Sequence, residues 1–500
     1  MNVLMIYPEF PDTFWSFKHA MKFINKSASN PPLGLITVAA LLPAKWNVKL
    51  VDLNLRQVRK NEWNWADMVF ISAMAIQRSS VNNVITQCKA RGKLIIAGGP
   101  LFTQEYESFS EIDHFVLNEA EMTLPEFLLD FSSSNLKRIY TSTKYPDIKT
   151  SPVPRFDLLQ MNRYATMSIQ YSRGCPYNCN FCNVTALFGH LPRVKTAEQI
   201  IRELNALYNA GWRSNVFFVD DNFIGNKRQI KTEILPALIE WRKEKTGFLF
   251  ITEASINLAD DEELMNLLAE AGFTSVFIGI ETPSVDGLIE CHKTQNASRD
   301  MLDCVHRIQA HGIQVMAGFI IGFDSDKPTI FDEQYRFVQN SGIITAMVGL
   351  LQAPYGTKLF DQMQKEGRLL DGMNGDNVDG STNIITKMDS VSLTKKYRIL
   401  MRKLYSPGPF YARIDQFLKN FRPVTRPVTI HFNEIAAFLK TIWYMGITGP
   451  DRWEYWRMIF NVLTRMPERF SIAIMLTVYG YHFRKVAELH LMGTPQTNLM

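Results

Sequence analysis

The chain has 500 residues, of which 46% are hydrophobic and 21% are charged. This balance is ordinary for a globular protein, and the length predicts two to four domains with sizeable cores. No stretch reaches the roughly eighteen apolar residues of a membrane span, and no basic segment followed by an apolar run marks a signal peptide, so we expect a protein of the reducing cytoplasm.

Residues 1–135 alternate short apolar runs with helix-like segments. This alternation predicts a doubly wound, Rossmann-like parallel sheet, and ligands of such sheets bind beyond the carboxyl ends of the strands. Four residues lie at predicted strand ends: Ser72, Gly98, Gly99 and Glu119. Because glycines also end strands that bind nothing, a purely structural role remains open at this point. Residues 136–165 contain Pro146, Pro152 and Pro154 among polar residues, which predicts a linker.

Three of the six cysteines lie close together in YSRGCPYNCNFCN, residues 171–183, at Cys175, Cys179 and Cys182. Three thiolates at this spacing suit a 4Fe–4S cluster, in which they bind three irons and leave the fourth open. Zinc remains a second possibility, with His190 as the nearest histidine. A disulfide would leave one of the three cysteines unpaired, and disulfides are not expected in a reducing compartment.

From residue 166 to about 390, strands and helices alternate again, and about six strand–helix units predict a partial, open α/β barrel. Function in barrels lies at the carboxyl ends of the strands. The residues predicted there include Asp220, Asp221, Asn222, Glu253, Ser255, Gly279 and Glu281. Asp221 and Asn222 are equally suited to cap the next helix, and Glu281 to be an ordinary surface carboxylate.

Residues 391–500 lack this alternation and read as helices. They carry 16 Lys and Arg against 6 Asp and Glu, whereas the first 390 residues carry 38 against 43. The helix at 451–464 is predicted to place one set of apolar side chains on a single side: Trp453, Trp456, Ile459, Phe460 and Leu463. Two interpretations stay open, a helical cap on the open side of the barrel and a basic, aromatic surface for lipid. No RNA-binding module is recognisable, so we expect no nucleic-acid partner.

The cysteine loop resembles that of the radical S-adenosylmethionine superfamily, including the aromatic Phe181 before the last cysteine. The resemblance implies that S-adenosylmethionine binds the open iron and is cleaved to a deoxyadenosyl radical, so no catalytic residue is assigned beyond the cluster. It also implies that Glu281, in Gly279-Ile280-Glu281, binds the ribose hydroxyls of the cofactor. Glu253 and Ser255 would contact its methionine part or its ribose.

The first region resembles the cobalamin-binding domain that precedes many radical S-adenosylmethionine cores, through Pro31-Pro32-Leu33-Gly34, VDLN, AGGP and NEAE. This implies that Ser72, Gly98, Gly99 and Glu119 lie at a cobalamin site. The Asp-x-His-x-x-Gly loop whose histidine ligates cobalt is absent, and neither His19 nor His114 has that context. The resemblance therefore implies cobalamin without a histidine on cobalt.

Taken whole, the chain resembles hopanoid methylases, which methylate a pentacyclic lipid at C-2, in YPEFPDTFWSFKHAMKF, PPLGLITVAALLP, VDDNFIGNK and the basic tail. This implies cobalamin-dependent methylation of an unactivated sp3 carbon of an apolar, lipid-like substrate. It further implies an electron donor such as ferredoxin or flavodoxin, and peripheral contact with the inner membrane surface. The enzymatic alternative is ring or carbon–carbon bond formation on a lipid or secondary metabolite without methyl transfer, and the non-enzymatic one is a cofactor-bound sensor.

Overall fold

The N-terminal part of the chain forms a parallel sheet between helices. The computed structural model describes residues 1–370, 372–376, 378–423 and 432–491. In these residues the first sheet has six strands, β1 (Asn2–Tyr7), β2 (Asn47–Asp52), β3 (Met68–Ser72), β4 (Leu94–Gly98), β5 (His114–Val116) and β6 (Ile139–Tyr140). The accompanying helices are α1 (Lys18–Met21), α2 (Leu33–Leu41), α3 (Lys60–Trp65), α4 (Arg78–Lys89), α5 (Pro100–Glu105) and α6 (Ala120–Ser132). The strand order is β2-β1-β3-β4-β5-β6, with every pair parallel.

This sheet confirms the predicted doubly wound, Rossmann-like fold. Its central strands are buried on both faces, as their near-continuous apolar sequences require. The strand order reverses between β1 and β3, which opens a crevice at the carboxyl ends of the strands. Strand β6 lies within the segment predicted as a linker and pairs with β5, so the sheet continues past residue 135. The limits 1–135, 136–165, 166–390 and 391–500 themselves stay a prediction, and the last range includes residues 424–431 and 492–500, which lie outside the described residues.

The second sheet is an open barrel, as predicted. Its strands in the described chain are β7 (Met167–Ile169), β10 (Val216–Phe218), β11 (Phe250–Glu253), β12 (Phe273–Glu281), β13 (Gln314–Ile321) and β14 (Ala346–Leu350), parallel in the order β14-β13-β12-β11-β10-β7. Strands β8 (Ser172–Arg173) and β9 (Arg193–Val194) form a separate antiparallel pair. The helices are α7 (Val184–Phe188), α8 (Ala197–Asn209), α9 (Lys227–Gln229), α10 (Leu235–Glu244), α11 (Glu262–Ala271), α12 (Val285–Glu290), α13 (Thr294–Ala297), α14 (Met301–Ala310), α15 (Ile330–Ser341) and α16 (Lys358–Lys365). Strands β7 and β14 are therefore the two free edges of the barrel.

The two faces of the barrel sheet differ in packing. Side chains alternate between the faces of a strand, and on β12 Val276, Ile278 and Ile280 are completely buried within the main core. Phe277 and Gly279 point to the other face, where they are partly exposed. We call the space on that inner face the inner hollow; the strand register places Phe217, Ile251, Glu253, Phe277 and Met316 around it.

The C-terminal part of the chain is helical, with α17 (Ser390–Tyr405), α18 (Pro407–Asn420), α19 (Phe432–Thr441), a π-helical segment (Ile442–Ile447), α20 (Arg452–Arg465) and α21 (Phe470–Leu491). Helix α17 lies along the edge strand β14. The Tyr397 hydroxyl donates to the Val348 carbonyl at 2.9 Å, and the Tyr405 hydroxyl donates to the Ala346 carbonyl at 2.5 Å. Carbonyls that an edge strand would otherwise expose are thereby satisfied.

The N-terminal residues 13–30, which we call the strap, cross the open side of the barrel from one edge to the other. Near β14, the Phe14 ring packs on Tyr405 and on Phe483 of α21, with centroids 5.4 and 5.1 Å apart. At the other end, Ala28 pairs with Tyr164 just before β7. The strap closes the gap that the open sheet leaves.

Helix α20 presents an apolar stripe to solvent. Trp453, Trp456, Phe460 and Leu463 are 75%, 42%, 67% and 52% exposed. The prediction that Ile459 shares this stripe is wrong, because Ile459 is 5% exposed and packs in the core on the buried side of the helix.

Candidate active site

The cysteine loop, residues 174–183, joins β8 to α7 above the first strand of the barrel. Gly174 has a φ of +94°, and a Cβ there would lie 3.0–3.1 Å from the carbonyl oxygens of Phe188, Gly189 and Leu191. The Cys175 amide donates to the Gly189 carbonyl at 3.3 Å. Only glycine combines this backbone angle with so close an approach, so Gly174 sets the entry of the loop.

The three thiols lie free and close to one another. Burial raises the pKa of all three, that of Cys182 to about 12, and each of Cys175 and Cys182 is raised further by the neighbouring Cys179. A cationic iron centre would offset both effects, so the residues present fit a cluster. In the described ranges, no three His, Cys, Asp or Glu side chains are arranged to hold a single metal ion. His190, the possible zinc ligand, is exposed.

Asn180 ties the loop to the late part of the barrel. Its amide donates to the Cys291 carbonyl at 3.2 Å and its side chain to the Glu290 carbonyl at 3.1 Å. The Leu359 amide donates back to the Asn180 carbonyl at 2.9 Å. The neighbouring Phe181 packs against a small apolar cluster that contains Cys291 and Leu359. The loop is therefore held by the segments that follow β12 and β14.

Glu281 ends β12 in a strained conformation beside Cys179. Its φ is +65°, which is rare for a residue with a Cβ, and the whole residue is 6% exposed. Its Oε1 accepts a hydrogen bond from Lys293 Nζ at 2.5 Å. Gly279 makes room for this pair, since a Cβ there would lie 2.2 Å from Glu281 Oε1 and 2.4 Å from Lys293 Nζ. Gly279 and Glu281, predicted together, thus form one unit.

Lys293 is a site residue that sequence reasoning missed. Burial opposes its charge, but Glu281 and then Cys179 outweigh that effect, and the pKa of Lys293 is raised. The ammonium is therefore held charged next to the cysteine loop. The only sequence signal was a lysine twelve residues beyond Glu281, just after α12. The sequence alone does not indicate that the two side chains meet.

Glu253 and Ser255 lie at the end of β11, near Cys175. The Ser255 hydroxyl donates to Asn257 Oδ1 at 2.6 Å, and Asn257 Nδ2 donates to the Tyr177 hydroxyl at 2.9 Å. The Ser255 amide donates to Asn222 Oδ1 at 3.3 Å, and Asn222 also hydrogen-bonds Cys175. This chain of contacts couples the strand end to the loop.

Three carboxyl groups near the loop have raised pKa values. Burial raises the pKa of Asp220 to about 7, of Asp221 to about 6 and of Glu253 to about 8, the last also through Asp221. Asp220 accepts hydrogen bonds from the Tyr171 amide at 3.2 Å and the Ser172 hydroxyl at 2.6 Å, so it positions the strand that enters the loop. The Asn222 side chain makes no capping hydrogen bond to the following helix, which removes that alternative for Asn222.

Three of the four predicted first-sheet residues meet at the carboxyl edge of β3 and β4. Ser72 pairs with Gly98 in register, and a Cβ on Gly99 would lie 2.4 Å from Ser72 Oγ. Gly98 is equally crowded, because a Cβ there would lie 2.5 Å from the Val116 carbonyl. The two glycines are needed for packing at this edge, and their contact with cobalamin stays a prediction.

Glu119 lies next to this edge and joins it to the cysteine loop. Its Oε2 lies 2.6 Å from Arg173 Nη1 and its Oε1 lies 2.7 Å from Arg193 Nη2. Arg173 also pairs with Glu121, at 2.9 Å. All four side chains are largely buried. This buried joint, which we name the Glu119–Glu121 joint, was not predicted; its partners lie 52 to 74 residues apart.

Neither histidine of the first region lies at the predicted cobalamin edge. His114 begins β5, at the opposite end of that strand, and its Nδ1 lies 2.7 Å from the Lys137 carbonyl. His19 lies against Asp12 and the ring of His482. The absence of a histidine on cobalt stays a prediction.

Comparisons with known proteins identify both sheets. Residues 27–128 match the B12 binding domain, residues 169–337 match the radical SAM superfamily, and residues 357–494 match a domain of unknown function, DUF4070. The chain is 33% identical to the hopanoid C-2 methylase of Rhodopseudomonas palustris, over 96% of this chain and 92% of that protein. The chain belongs to the cobalamin-dependent radical S-adenosylmethionine methyltransferases. It is also 40% identical to an uncharacterized methyltransferase of Synechocystis, over 98% of this chain and 92% of that protein.

Solved structures show the same fold. The cobalamin-dependent radical enzyme OxsB superposes with a TM-score of 0.62 at 16% identity, covering 97% of this chain and 79% of that one. The radical methyltransferase TsrM of Kitasatospora setae superposes with a TM-score of 0.58 at 14% identity, covering 98% and 99%. This methyltransferase uses a 4Fe–4S cluster, S-adenosylmethionine and cobalamin.

Proposed function

We propose that this methyltransferase acts on an unactivated sp3 carbon of an apolar, hopanoid-like lipid. The observation that carries the proposal is the inner hollow, whose partly exposed lining is mainly apolar: Phe217, Ile251, Phe277 and Met316. Apolar walls with a few polar groups are typical of sites for apolar ligands. The full-length similarity to a hopanoid C-2 methylase supports the same substrate class.

The chain supplies a place for each cofactor. We assign Cys175, Cys179 and Cys182 to the cluster, and Gly279, Glu281, Glu253 and Ser255 to S-adenosylmethionine. We assign Ser72, Gly98, Gly99 and Glu119 to cobalamin. When bound, these groups supply hydrogen abstraction and a methyl group; the protein orients them and keeps water from the hollow.

The alternative without methyl transfer is not favoured. Relatives that span two thirds or more of the chain include proteins named as methyltransferases for a hopanoid and for a bacteriochlorophyllide. A ring- or bond-forming reaction would have no methylated product.

The test is an anaerobic assay of the reconstituted enzyme with methyl-labelled S-adenosylmethionine and a desmethyl pentacyclic triterpene in detergent. We expect label in the lipid, dependent on cobalamin and on a reductant such as ferredoxin or flavodoxin, which we propose as the natural type of electron donor. Cleavage of S-adenosylmethionine without labelled lipid, for every triterpene offered, would contradict the substrate class.

A membrane-contact surface on the helical region supports a lipid substrate. Within residues 442–465 the exposed large apolar side chains are Trp443, Tyr444, Ile447, Trp453, Trp456, Phe460 and Leu463. Within the same residues, the exposed charged side chains are Arg452, Arg457 and Arg465. Glu454 is half-buried, and Asp451 is buried against Arg484 and Tyr411. Exposed apolar and aromatic side chains with arginines among them match an anionic bilayer surface. None of the helices in the described ranges has the length and apolarity for a transmembrane passage.

Flotation with vesicles tests this surface. We expect the enzyme to float with vesicles that contain anionic lipid, and the double variant Trp453→Ser/Phe460→Ser to lose about tenfold or more of that affinity, because both rings leave the bilayer. Leu129→Ser, which removes a side chain 68% exposed on α6, is the matched control. Equal flotation of both variants would contradict the assignment.

A further inference from the structure

The segment that carries the three clustered cysteines begins and ends at two arginines that lie opposite each other. Strands β8 and β9 pair antiparallel, and Arg173 on β8 is the register partner of Arg193 on β9. Residues 174–192 leave the strand pair between them and contain the cysteine loop and α7. Whatever holds these two arginines therefore holds both ends of the segment that we assign to the cluster.

One carboxylate binds both arginines. Glu119 accepts hydrogen bonds from Arg173 Nη1 at 2.6 Å and from Arg193 Nη1 and Nη2 at 3.0 and 2.7 Å, and its side chain is only 4% exposed. Glu119 directly precedes α6 of the first sheet and is one of the residues that we assign to cobalamin. The Glu119–Glu121 joint thus links the two assigned cofactor sites through a single side chain.

Arg193 ties two further segments to the joint. Its Nη1 donates to the Pro146 carbonyl at 3.0 Å, and its Nη2 donates to the Phe188 carbonyl at the end of α7 at 3.1 Å. Its guanidinium also lies 4.8 Å from the centre of the Tyr145 ring. A planar guanidinium directs its hydrogen bonds in a fixed fork, whereas an ammonium is a point charge. Arg193 therefore fixes the direction as well as the distance between the segments that it joins.

Stability alone does not explain buried charges at this place. A buried ion pair is weak evidence for stability, because apolar side chains of similar volume can often replace it without loss. Apolar contacts do not supply the directional bonds that hold one arrangement. The joint lies between the first sheet and the cysteine loop, where a fixed arrangement matters, since a displacement of about 1 Å at a reacting centre can cost about 100-fold in rate.

We infer that the Glu119–Glu121 joint sets the separation of the cluster and cobalamin, and that Arg173 and Arg193 are positioning residues of methyl transfer. The two cofactors belong to different parts of the chain, so methyl transfer needs a fixed distance between them. The inference goes beyond the proposed substrate and holds for any substrate, because it concerns the cofactors alone. A failed triterpene assay would leave it standing.

The test measures this separation without substrate and without turnover. Cob(II)alamin and the reduced cluster are both paramagnetic, and the cluster speeds the relaxation of the cobalt spin by an amount that falls steeply with distance. Pulsed electron paramagnetic resonance of the holoenzyme gives this enhancement as the difference between the reduced and the oxidised cluster. Iron and cobalamin contents are measured on the same samples, so that loss of a cofactor is distinguished from a change in separation.

The variants compared with the wild type are Arg193→Gln, Arg193→Lys and Arg56→Gln. Arg56 is the matched control, because it forms a bidentate pair with Glu62 of α3 at 2.8 and 2.7 Å that is also largely buried. This control pair lies within the first sheet and its helices.

We expect Arg193→Gln to lose most of the enhancement while both cofactors are retained, because one end of the cysteine segment is released. Arg193→Lys should regain part of it, because an ammonium can still pair with Glu119 but does not reproduce the fork. Arg56→Gln should keep the wild-type enhancement, although it too breaks a buried pair. An unchanged enhancement in each Arg193 variant that takes up both cofactors, an equal loss in Arg56→Gln, or no enhancement in the wild type would overturn the inference.

Discussion

The Glu119–Glu121 joint permits a quantitative prediction. Burial opposes the charge of Glu121, but hydrogen bonds and charge from Arg173 outweigh it and lower its pKa from 4.5 to about 2. A shift of this size corresponds to roughly 3 kcal/mol, the lower end of the 3–5 kcal/mol typical for breaking a buried ion pair. We therefore expect Glu121→Gln to lower the free energy of unfolding of the apoprotein by about 3 kcal/mol at pH 7.

Urea unfolding curves at several pH values measure this change. Because the folded-state pKa is depressed, the stabilisation is fully present above the unfolded pKa and is lost as pH falls from 4.5 toward 2. The variant should thus converge with the wild type in acid.

The matched control is Glu126→Gln on the same helix. Glu126 pairs with Lys137, and the two side chains are 50% and 54% exposed. Such surface pairs contribute about 0–1 kcal/mol. If Glu121→Gln and Glu126→Gln cost the same, or if the Glu121 effect grows in acid, the electrostatic reasoning is refuted.

Three further predictions concern the site. Cys179→Ala should abolish both iron binding and cleavage of S-adenosylmethionine; retained cleavage would remove the cluster assignment. Glu281→Ala should weaken S-adenosylmethionine binding about 10- to 100-fold, because charge-assisted hydrogen bonds are lost, while the iron content stays constant. Gly279→Ala should have the same effect, because its Cβ would displace the Glu281–Lys293 pair. Unchanged affinity in both variants would show that the ribose contact lies elsewhere. Glu253 holds a proton between pH 4.5 and 8 that the unfolded chain releases, so it makes stability fall with pH by up to about 1.4 kcal/mol per unit in that window. Glu253→Gln should flatten this slope, whereas Glu244→Gln, at a site 82% exposed, should not.

Local signals in the sequence predicted both sheets and the centre of the site. Cys175, Cys179 and Cys182 lie within eight residues, which predicted the cluster loop. The alternation of apolar runs predicted the strand ends. Gly279 and Glu281 were predicted together because they share one strand end, and their contact with the cofactor stays a prediction. The contacts that remained hidden join distant parts of the chain: Lys293 with Glu281, Glu119 with Arg193, and Trp15 with Phe277. Side-chain contacts between segments far apart in the sequence, and not any periodicity, bring these residues together.

The same limit explains the error at Ile459. A helical wheel shows which side chains share a side, but α20 packs against α18 and α21 over a wider face than the apolar stripe allowed for. The stripe itself was predicted, and only its border was wrong.

The strap can close the barrel only late in the synthesis and folding of the chain. Phe14 is synthesised well before α21, yet it packs on Phe483, and His482 Nε2 lies 3.0 Å from the Phe14 carbonyl. Contacts across 468 residues can form only after α21 has been made. Until then the first sheet and the barrel can fold with the inner hollow open on one side. The cysteine loop thus stays accessible from the open side of the barrel until α21 docks.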